Sequence, residues 1–271
     1  MSNVDTGARR TLNSSVGSLT SVTRTVTTVA LGLLVPVSIV ALWAYFAGTG
    51  EFSTSQLPSP GDVLWAAGDL ASRAVLWDHI AISAQRVATG FAIGAAIGIA
   101  VGSLVGLSKI AGVIIQPTIG AIRAVPSLAW VPLLLIWLGI YEAPKLTLIA
   151  IGAFFPVFTT VAAGFRAVDR NLVEVGRAYG LTGIRLVTQV LLPAAAPTIF
   201  SGIRLGLAQS WLFLVAAELI ASSKGLGFLL LDSQNSARTD ILFLVIILLA
   251  VLGKLTDFLV GLLEKRVLRW V

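Results

Sequence analysis

The sequence predicts an all-α, polytopic membrane protein with about six transmembrane helices. Hydrophobic residues make up 56% of the 271 residues and charged residues only 12%, whereas soluble domains carry about 25% charged residues. The apolar residues also fall into separate long runs, and a helix needs about 20 of them to cross the hydrocarbon core. So few charges could not cover this much apolar surface in water, so lipid is the expected solvent.

Six apolar runs are predicted to be membrane spans. They comprise residues 26–47, 87–107, 125–140, 146–165, 191–220 and 241–263. The third run is short and contains Pro126 and Pro132, which leave its ends undefined. In the segment between the first two runs, Ser59 and Pro60 suit the N-cap and the first residue of a short helix.

These runs divide the chain into predicted regions. Residues 1–25 form a cytoplasmic tail, 26–47 the first transmembrane helix and 48–86 an extracytoplasmic loop with a short helix. Residues 87–264 form the core, which includes a cytoplasmic loop at 166–190, and residues 265–271 form a second cytoplasmic tail.

The distribution of lysine and arginine predicts the orientation. With the N-terminus inside, twelve basic residues are cytoplasmic: Arg9, Arg10, Arg24, Lys109, Arg123, Arg166, Arg170, Arg177, Arg185, Lys265, Arg266 and Arg269. Five are outside: Arg73, Arg86, Lys145, Lys224 and Arg238. Cytoplasmic loops carry the excess of basic residues, so both termini are expected in the cytoplasm. The net charge of +6 then reflects membrane orientation, and no nucleic-acid partner is expected.

The sequence lacks the residues that several classes of protein need for their function. The chain has no cysteine and a single histidine, His79, so a zinc site is not expected. No phosphate-binding glycine loop occurs, because the only Gly-Lys pair, Gly253-Lys254, is followed by leucine. No nucleophile elbow or His-Glu-x-x-His helix is present either. We therefore expect a chain that is not an enzyme, holds no metal or other cofactor, and has no nucleotide site.

The second predicted span carries a regular row of glycines. They are Gly90, Gly94, Gly98, Gly102 and Gly106. Residues four apart share one helix face, and missing side chains let a second helix approach closely in lipid. Helix packing is the favoured interpretation, and a hinge or a pathway lining is the alternative.

The fifth predicted span carries two charges. Arg204, Trp211 and Glu218 are seven residues apart and share a face. A charge inside a membrane costs several kcal/mol unless it faces protein or water. Arg204 either lines a pathway for an anion, which its planar fork suits, or forms a structural ion pair. For Glu218, near the outer end, a structural or partner-docking role is favoured.

A loop before the fifth span contains a short predicted helix. Asp169 suits the N-cap of a helix over residues 170–179, and Gly180 suits its end. Such a helix, lying flat at the membrane surface, can dock into a groove of a cytoplasmic partner.

The same loop resembles the EAA loop of bacterial ABC importer permeases. Glu174-Val175-Gly176 is followed by Gly180 after three intervening residues, by Val190 after nine more, and by Leu192-Pro193 after one more. The departures from the family pattern are Val175 and Gly176 in place of alanines and Val190 in place of isoleucine. The resemblance assigns ATPase coupling to Glu174, Val175, Gly176, Ala178, Tyr179, Gly180, Leu192 and Pro193.

Further stretches resemble the nitrate/sulfonate/taurine branch of these permeases, and the aliphatic sulfonate permeases within it. They include residues 57–60, 83–86, 123–126, 137–139, 217–218, 225–227 and 262–270. The resemblance implies a type I ABC importer permease fold in a bacterial inner membrane. It also implies a small anionic substrate, a second permease copy, a substrate-binding protein, and two ATPase subunits that hold ATP and Mg²⁺.

Two alternatives stay open at this point. The substrate could be taurine, nitrate or another small organic solute, with the same fold and role. A secondary transporter is disfavoured, because it would be expected to show inverted repeats and several intramembrane acids, and no clear repeat is visible.

Overall fold

The computed structural model describes residues 31–269. The predicted tail at 1–25, the first five residues of the predicted span 26–47, and Trp270 and Val271 lie outside the described residues. The described residues are helical with connecting turns, and none is in a strand. The predicted all-α class is therefore confirmed.

The chain forms two compact units, Met1–Leu64 and Trp65–Val271. The described part of the first unit contains α1 (Leu31–Gly48), a turn region and the start of α2 (Pro60–Ser72). The Ser59 hydroxyl accepts from the Asp62 backbone N–H at 3.2 Å, and the Asp62 carboxylate accepts from the Ser59 N–H at 2.9 Å. This reciprocal cap fixes the predicted start of α2.

The described part of the second unit holds the rest of α2 and nine further helices. These are α3 (Val75–Leu107), α4 (Lys109–Ala124), α5 (Trp130–Leu138), α6 (Glu142–Arg166), α7 (Arg170–Ala178), α8 (Gly183–Leu186), α9 (Leu192–Ala221), α10 (Leu226–Asn235) and α11 (Thr239–Val267). A five-residue π-helical turn, Val187–Leu191, joins α8 to α9. In the described residues five helical segments are long and apolar enough to cross a membrane: α1, α3, α6, the continuous segment from α8 to α9, and α11.

The third predicted span is not one helix. Residues 125–140 contain a short 3₁₀ turn (Ser127–Ala129) and α5, which has nine residues. The backbone is extended at Val125 because Pro126 disfavours a helical conformation in the residue before it. The neighbouring α4, which the hydropathy pattern did not predict, supplies sixteen further helical residues. The predicted number of about six transmembrane helices is consistent with five long helices and this broken pair.

The helix that carries the second predicted span begins before residue 87. Helix α3 begins at Val75, so residues 75–86 of the predicted loop at 48–86 are helical. No glycine or proline interrupts residues 75–86, and two of their polar side chains, Ser83 and Arg86, are hydrogen-bonded to acids of other helices. The predicted loop between the last two spans likewise contains a helix, α10.

The core of the second unit lies where α3, α6 and α9 meet. Ile149, Val157 and Val161 on α6 have no exposed surface and pack with Val87 and Ala95 of α3. Leu207, Trp211 and Leu214 of α9 and partly buried residues of α11 complete the packing. Helix α6 is thus the central element around which the functional features are arranged.

Candidate functional site

The glycine row of α3 faces α6 along its whole length. A Cβ added at Gly90 would lie 2.7 Å from Ile149, and one at Gly102 would lie 2.9 Å from Val161. At Gly94, Gly98 and Gly106 the nearest atoms likewise belong to α6. Contacts under 3.0 Å are not tolerated by real Cβ atoms, so the two backbones lie close because the side chains are missing.

Helix α7 is held at both ends by local hydrogen bonds. The Asp169 carboxylate accepts from the Asn171 N–H at 2.9 Å. At the other end, the Gly180 N–H donates to the Arg177 carbonyl at 2.9 Å, and the Leu181 N–H donates to the Gly176 carbonyl at 3.0 Å. This pair of bonds is a Schellman motif, and Gly180 takes the positive φ of 77° that it requires.

Gly176 and the π turn seat α7 on the segment that becomes α9. A Cβ at Gly176 would lie 2.9 Å from Leu186 and 3.0 Å from Val190, which explains why the sequence has glycine where the family pattern has alanine. The π turn ends beside Pro193, which has no N–H to donate to the Gln189 carbonyl. Loss of that bond is a physical cause for the wider turn.

The outer face of α7 carries large apolar groups and an unpaired acid. Tyr179 is 84% exposed, and Val175 and Leu172 are about half exposed. These residues border an open cavity of about 560 Å³ that also reaches Pro193 and Pro197. Glu174 is exposed and has no hydrogen-bond or ion-pair partner among the described residues. Ala178 is exposed as well.

The predicted pathway residues of α9 lie in three different environments. The Arg204 guanidinium donates to both Asp257 oxygens, at 2.8 and 2.9 Å, and to Glu264 at 3.3 Å. Trp211 is buried and donates to the Thr256 hydroxyl at 2.9 Å. Glu218 is fully buried. Two acids neutralise Arg204, so its geometry favours the structural ion pair that the sequence left as one of two interpretations.

Glu218 belongs to a buried charge network that sequence reasoning missed. Arg86 donates to both Glu142 oxygens, at 2.7 and 2.6 Å, and to Glu218 at 2.7 Å. Lys145 adds a bond of 3.0 Å to Glu142. The two cations balance the two carboxylates, which is the condition for burying charges. Arg86 had been assigned to a loop, and the unbroken helical stretch before it was the signal that could have placed it in α3.

The network also holds the backbone of the connection from α9 to α10. Arg86 donates to the Lys224 carbonyl at 2.7 Å. The Leu226 N–H donates to the Ser83 hydroxyl at 2.8 Å, and the Gly227 N–H donates to Glu218 at 2.7 Å. This connection, at the end of α9 opposite to α7, is thereby tied to α3.

Comparison with known proteins agrees with this architecture. A family model described as binding-protein-dependent transport system inner membrane component matches residues 94–269. The SsuC permease protein of Escherichia coli (strain K12), whose name assigns it provisionally to aliphatic sulfonates transport, is 45% identical over 87% of this chain and 89% of its own length. SsuC of Bacillus subtilis (strain 168) is 42% identical over 88% and 87%.

A solved structure shows the same fold. The structure of inward-facing conformations of the MetNI methionine ABC transporter contains a chain that matches with a TM-score of 0.60 at 20% identity. The match covers 72% of this chain and 95% of that chain.

Proposed function

The chain belongs to the family of binding-protein-dependent transport system inner membrane components, and from that premise we propose that it is the sulfonate-conducting permease of an ABC importer. The permease role follows from the family and the fold. The substrate is inferred from identities of 45% and 42% to two SsuC proteins over nearly the whole chain. An aliphatic sulfonate is therefore the favoured substrate, and taurine, nitrate or another small organic solute is the alternative.

The observation that carries the proposal is the construction of α7. Its ends are capped, its outer face presents Leu172, Val175 and Tyr179, and Glu174 is left without a partner. A short amphipathic helix with an unsatisfied apolar face suits the groove of a second protein. Because α7 is packed through Gly176 onto the helix that continues as α9, movement of a docked partner would be passed to a membrane span.

The partners follow from what this chain lacks and displays. It has no phosphate-binding glycine loop, so we assign ATP, Mg²⁺ and hydrolysis to two separate ATPase subunits that dock on α7. A second copy of this chain would complete the pore, and a substrate-binding protein would deliver the anion at the opposite face. This chain then has a transport role and no catalytic one.

The intramembrane acids do not suit a transporter that works alone. Asp257 and Glu264 are both bound to Arg204, and Glu218 is bound to Arg86. An ion-coupled secondary transporter needs acids that can exchange a proton or a cation during the cycle. These acids already have permanent cationic partners.

The test is reconstitution of the permease with its ATPase subunit and its binding protein in vesicles. We expect ATP-dependent uptake of alkanesulfonates in preference to taurine and nitrate, and copurification of the ATPase. Uptake of alkanesulfonates without ATP or without the ATPase subunit would contradict the proposed role. Preference for taurine or nitrate would contradict only the substrate.

A further inference from the structure

A cavity between α4, α6 and α9 contains an arginine that no carboxylate neutralises. The cavity measures about 420 Å³ and is lined on α6 by Ile151, Phe155 and Thr159, which lie at the middle of that span. Arg123, in the last turn of α4, reaches it and donates to the Thr159 hydroxyl at 3.4 Å. Among the described residues no acid forms an ion pair with Arg123.

This position corrects the assignment of Arg123 to a cytoplasmic loop. The first half of α4 lies near the end of α6, because Arg166 donates to the Gln116 side chain at 2.8 Å and a Cβ added at Gly112 would lie 2.6 Å from the Arg166 guanidinium. Helix α4 then runs back along α6, where Ile115 and Ile119 pack against the cluster that contains Phe158. Arg123 is therefore inside the span region, where a charge is costly unless it serves a water-filled cavity or a ligand.

Arg123 differs electrically from the other cations of the long helices. Arg86 and Lys145 are balanced by Glu142 and Glu218. Arg204 is balanced by two acids, and its own cavity of about 520 Å³ contains both of them. Those acids would repel an anion from the Arg204 cavity, whereas none of the described residues that line the Arg123 cavity is an acid.

The rest of the lining suits an anion with an alkyl chain. Gln209 of α9 has no hydrogen-bond partner among the described residues, so its amide N–H groups can donate to a ligand. Phe155, Phe213 and Leu205 supply apolar surface. Gly152 makes room for Phe213, since a Cβ there would lie 2.7 Å from the phenylalanine ring. The cavity volume is in the range of small-ligand sites.

We propose that this cavity is a substrate site in the membrane, where Arg123 and Gln209 bind the sulfonate head and Phe155 and Phe213 contact the alkyl part. The inference rests on the proposed function, because it takes the transported anion to be a sulfonate. Arginine's planar fork of donors matches the oxygens of such a head. A single cation, with no second basic residue among the described residues that line the cavity, binds the sulfonate weakly enough to release it, and conduction requires such release.

The first test separates transport from ATP hydrolysis in reconstituted vesicles. Arg123→Gln is expected to lower the alkanesulfonate moved per ATP hydrolysed by about tenfold, the factor for one lost charge-assisted hydrogen bond. Arg123→Lys, which keeps the charge, is expected to recover part of that ratio. An unchanged ratio in Arg123→Gln would overturn the inference alone. Wild-type vesicles that take up an uncharged solute but no sulfonate would overturn the proposed function as well.

The second test measures the electrostatic role directly and uses the absence of native cysteines. A thiol introduced by Gln209→Cys is labelled with an anionic and a cationic methanethiosulfonate. Adding Arg123→Gln is expected to lower the ratio of anionic to cationic labelling rates by about thirtyfold, because a unit charge at about 4 Å in water changes each rate by about fivefold and the two rates change in opposite directions. A thiol from Leu262→Cys, beside Arg204, is the control, and its ratio should not change. Equal changes at both thiols, or none at the first, would show that Arg123 only supports the structure.

Discussion

Three arginines of the structure differ in their hydrogen-bond and ion-pair partners, and these partners indicate a different role for each. Arg86 is buried and bonded to two acids, a hydroxyl and a carbonyl. Arg204 is partly exposed and held by Asp257 and Glu264. Arg123 has a single weak contact to a hydroxyl at 3.4 Å. The first two arginines are paired with acids before any ligand arrives, whereas no acid among the described residues pairs with Arg123.

Replacing Gly180 by valine is expected to uncouple ATP hydrolysis from transport. A Cβ at Gly180 meets no atom within 4 Å, so the cost comes from the positive φ, about 1–2 kcal/mol for an L-residue and more for a β-branched one. The measurement is uptake per ATP in reconstituted vesicles, with a pulldown of the ATPase subunit. Gly180→Asn, which tolerates this conformation, is the matched control. If the valine variant binds the ATPase subunit and transports as much substrate per ATP as the wild type, the coupling does not depend on this turn.

The two carboxylates on Arg86 are expected to differ in their contribution to stability. Glu218 is fully buried, whereas the Glu142 side chain is 55% exposed and can be replaced by water. Glu218→Ala should therefore cost about 3–5 kcal/mol, as for a broken buried pair, and Glu142→Ala should cost less, because water can take the place of its exposed carboxylate beside Arg86 and Lys145. Denaturant unfolding in mixed micelles measures both. Equal losses would mean that solvent reaches Glu218.

At the scale of elements, the sequence predicted the features that depend on neighbours in the chain. The start of α2 at Ser59 and the ends of α7 at Asp169 and Gly180 are local caps, and all three were predicted correctly. The start of α3 was not, because Arg86 looks like a loop residue until Glu142 and Glu218, both distant in sequence, are brought to it. A structural ion pair for Arg204 was one of two open interpretations, and its partner Asp257 was not identified for the same reason.

Widening the contact between α3 and α6 is expected to destabilise the protein. A Cβ at Gly98 would lie 3.0 Å from Val157 and 3.1 Å from the Phe154 carbonyl. Gly98→Leu should cost at least about 1–3 kcal/mol, as overpacked cores do. Gly253→Leu on α11 is the control, since no atom lies within 4 Å of an added Cβ there. The fraction of monodisperse protein after heating in detergent measures both, and similar behaviour of the two variants would contradict the close packing.

Arg204→Gln is expected to weaken the pairing of α9 with α11 and to leave the transport rate per assembled complex unchanged. The reason is that Asp257 and Glu264 occupy its guanidinium. In a double-mutant cycle with Asp257→Asn, contacting residues should show a coupling energy of about 0.5–3 kcal/mol. Assembled complexes with reduced sulfonate uptake would favour the anion-pathway interpretation instead.

At the scale of the whole molecule, the structure changes the assignment of two basic residues that were counted on the two sides of the membrane. Arg123 leaves the inside set of twelve, because it lines the cavity beside the middle of α6, and Arg86 leaves the outside set of five, because it is buried between helices. Eleven against four remain, and this excess still predicts both termini in the cytoplasm. The α7 end of the bundle would then face the cytoplasm, where an ATPase subunit can reach it.

Single thiols test this orientation, since the chain contains no cysteine. Ser236→Cys, just after α10, is expected to react with an impermeant maleimide added outside sealed cells. Thr182→Cys, just after α7, is expected to react only after the membrane is permeabilised. Both positions are exposed in the structure, so burial does not explain a failure to react. Labelling of the Thr182 position from outside would reverse the topology.

The buried network around Arg86 holds the α9–α10 connection almost entirely by its main chain. The main-chain groups that it binds are the Lys224 carbonyl and the N–H groups of Leu226 and Gly227, and the Ser222 hydroxyl is a side-chain group that it binds. Amide groups are common to nearly all amino acids, so the side chains at Ser223 and Lys224 can diversify while the anchor persists. Related permeases could therefore acquire recognition of different delivery proteins by exchanging these few surface residues, without remodelling the bundle beneath. Specificity at this face would evolve independently of stability.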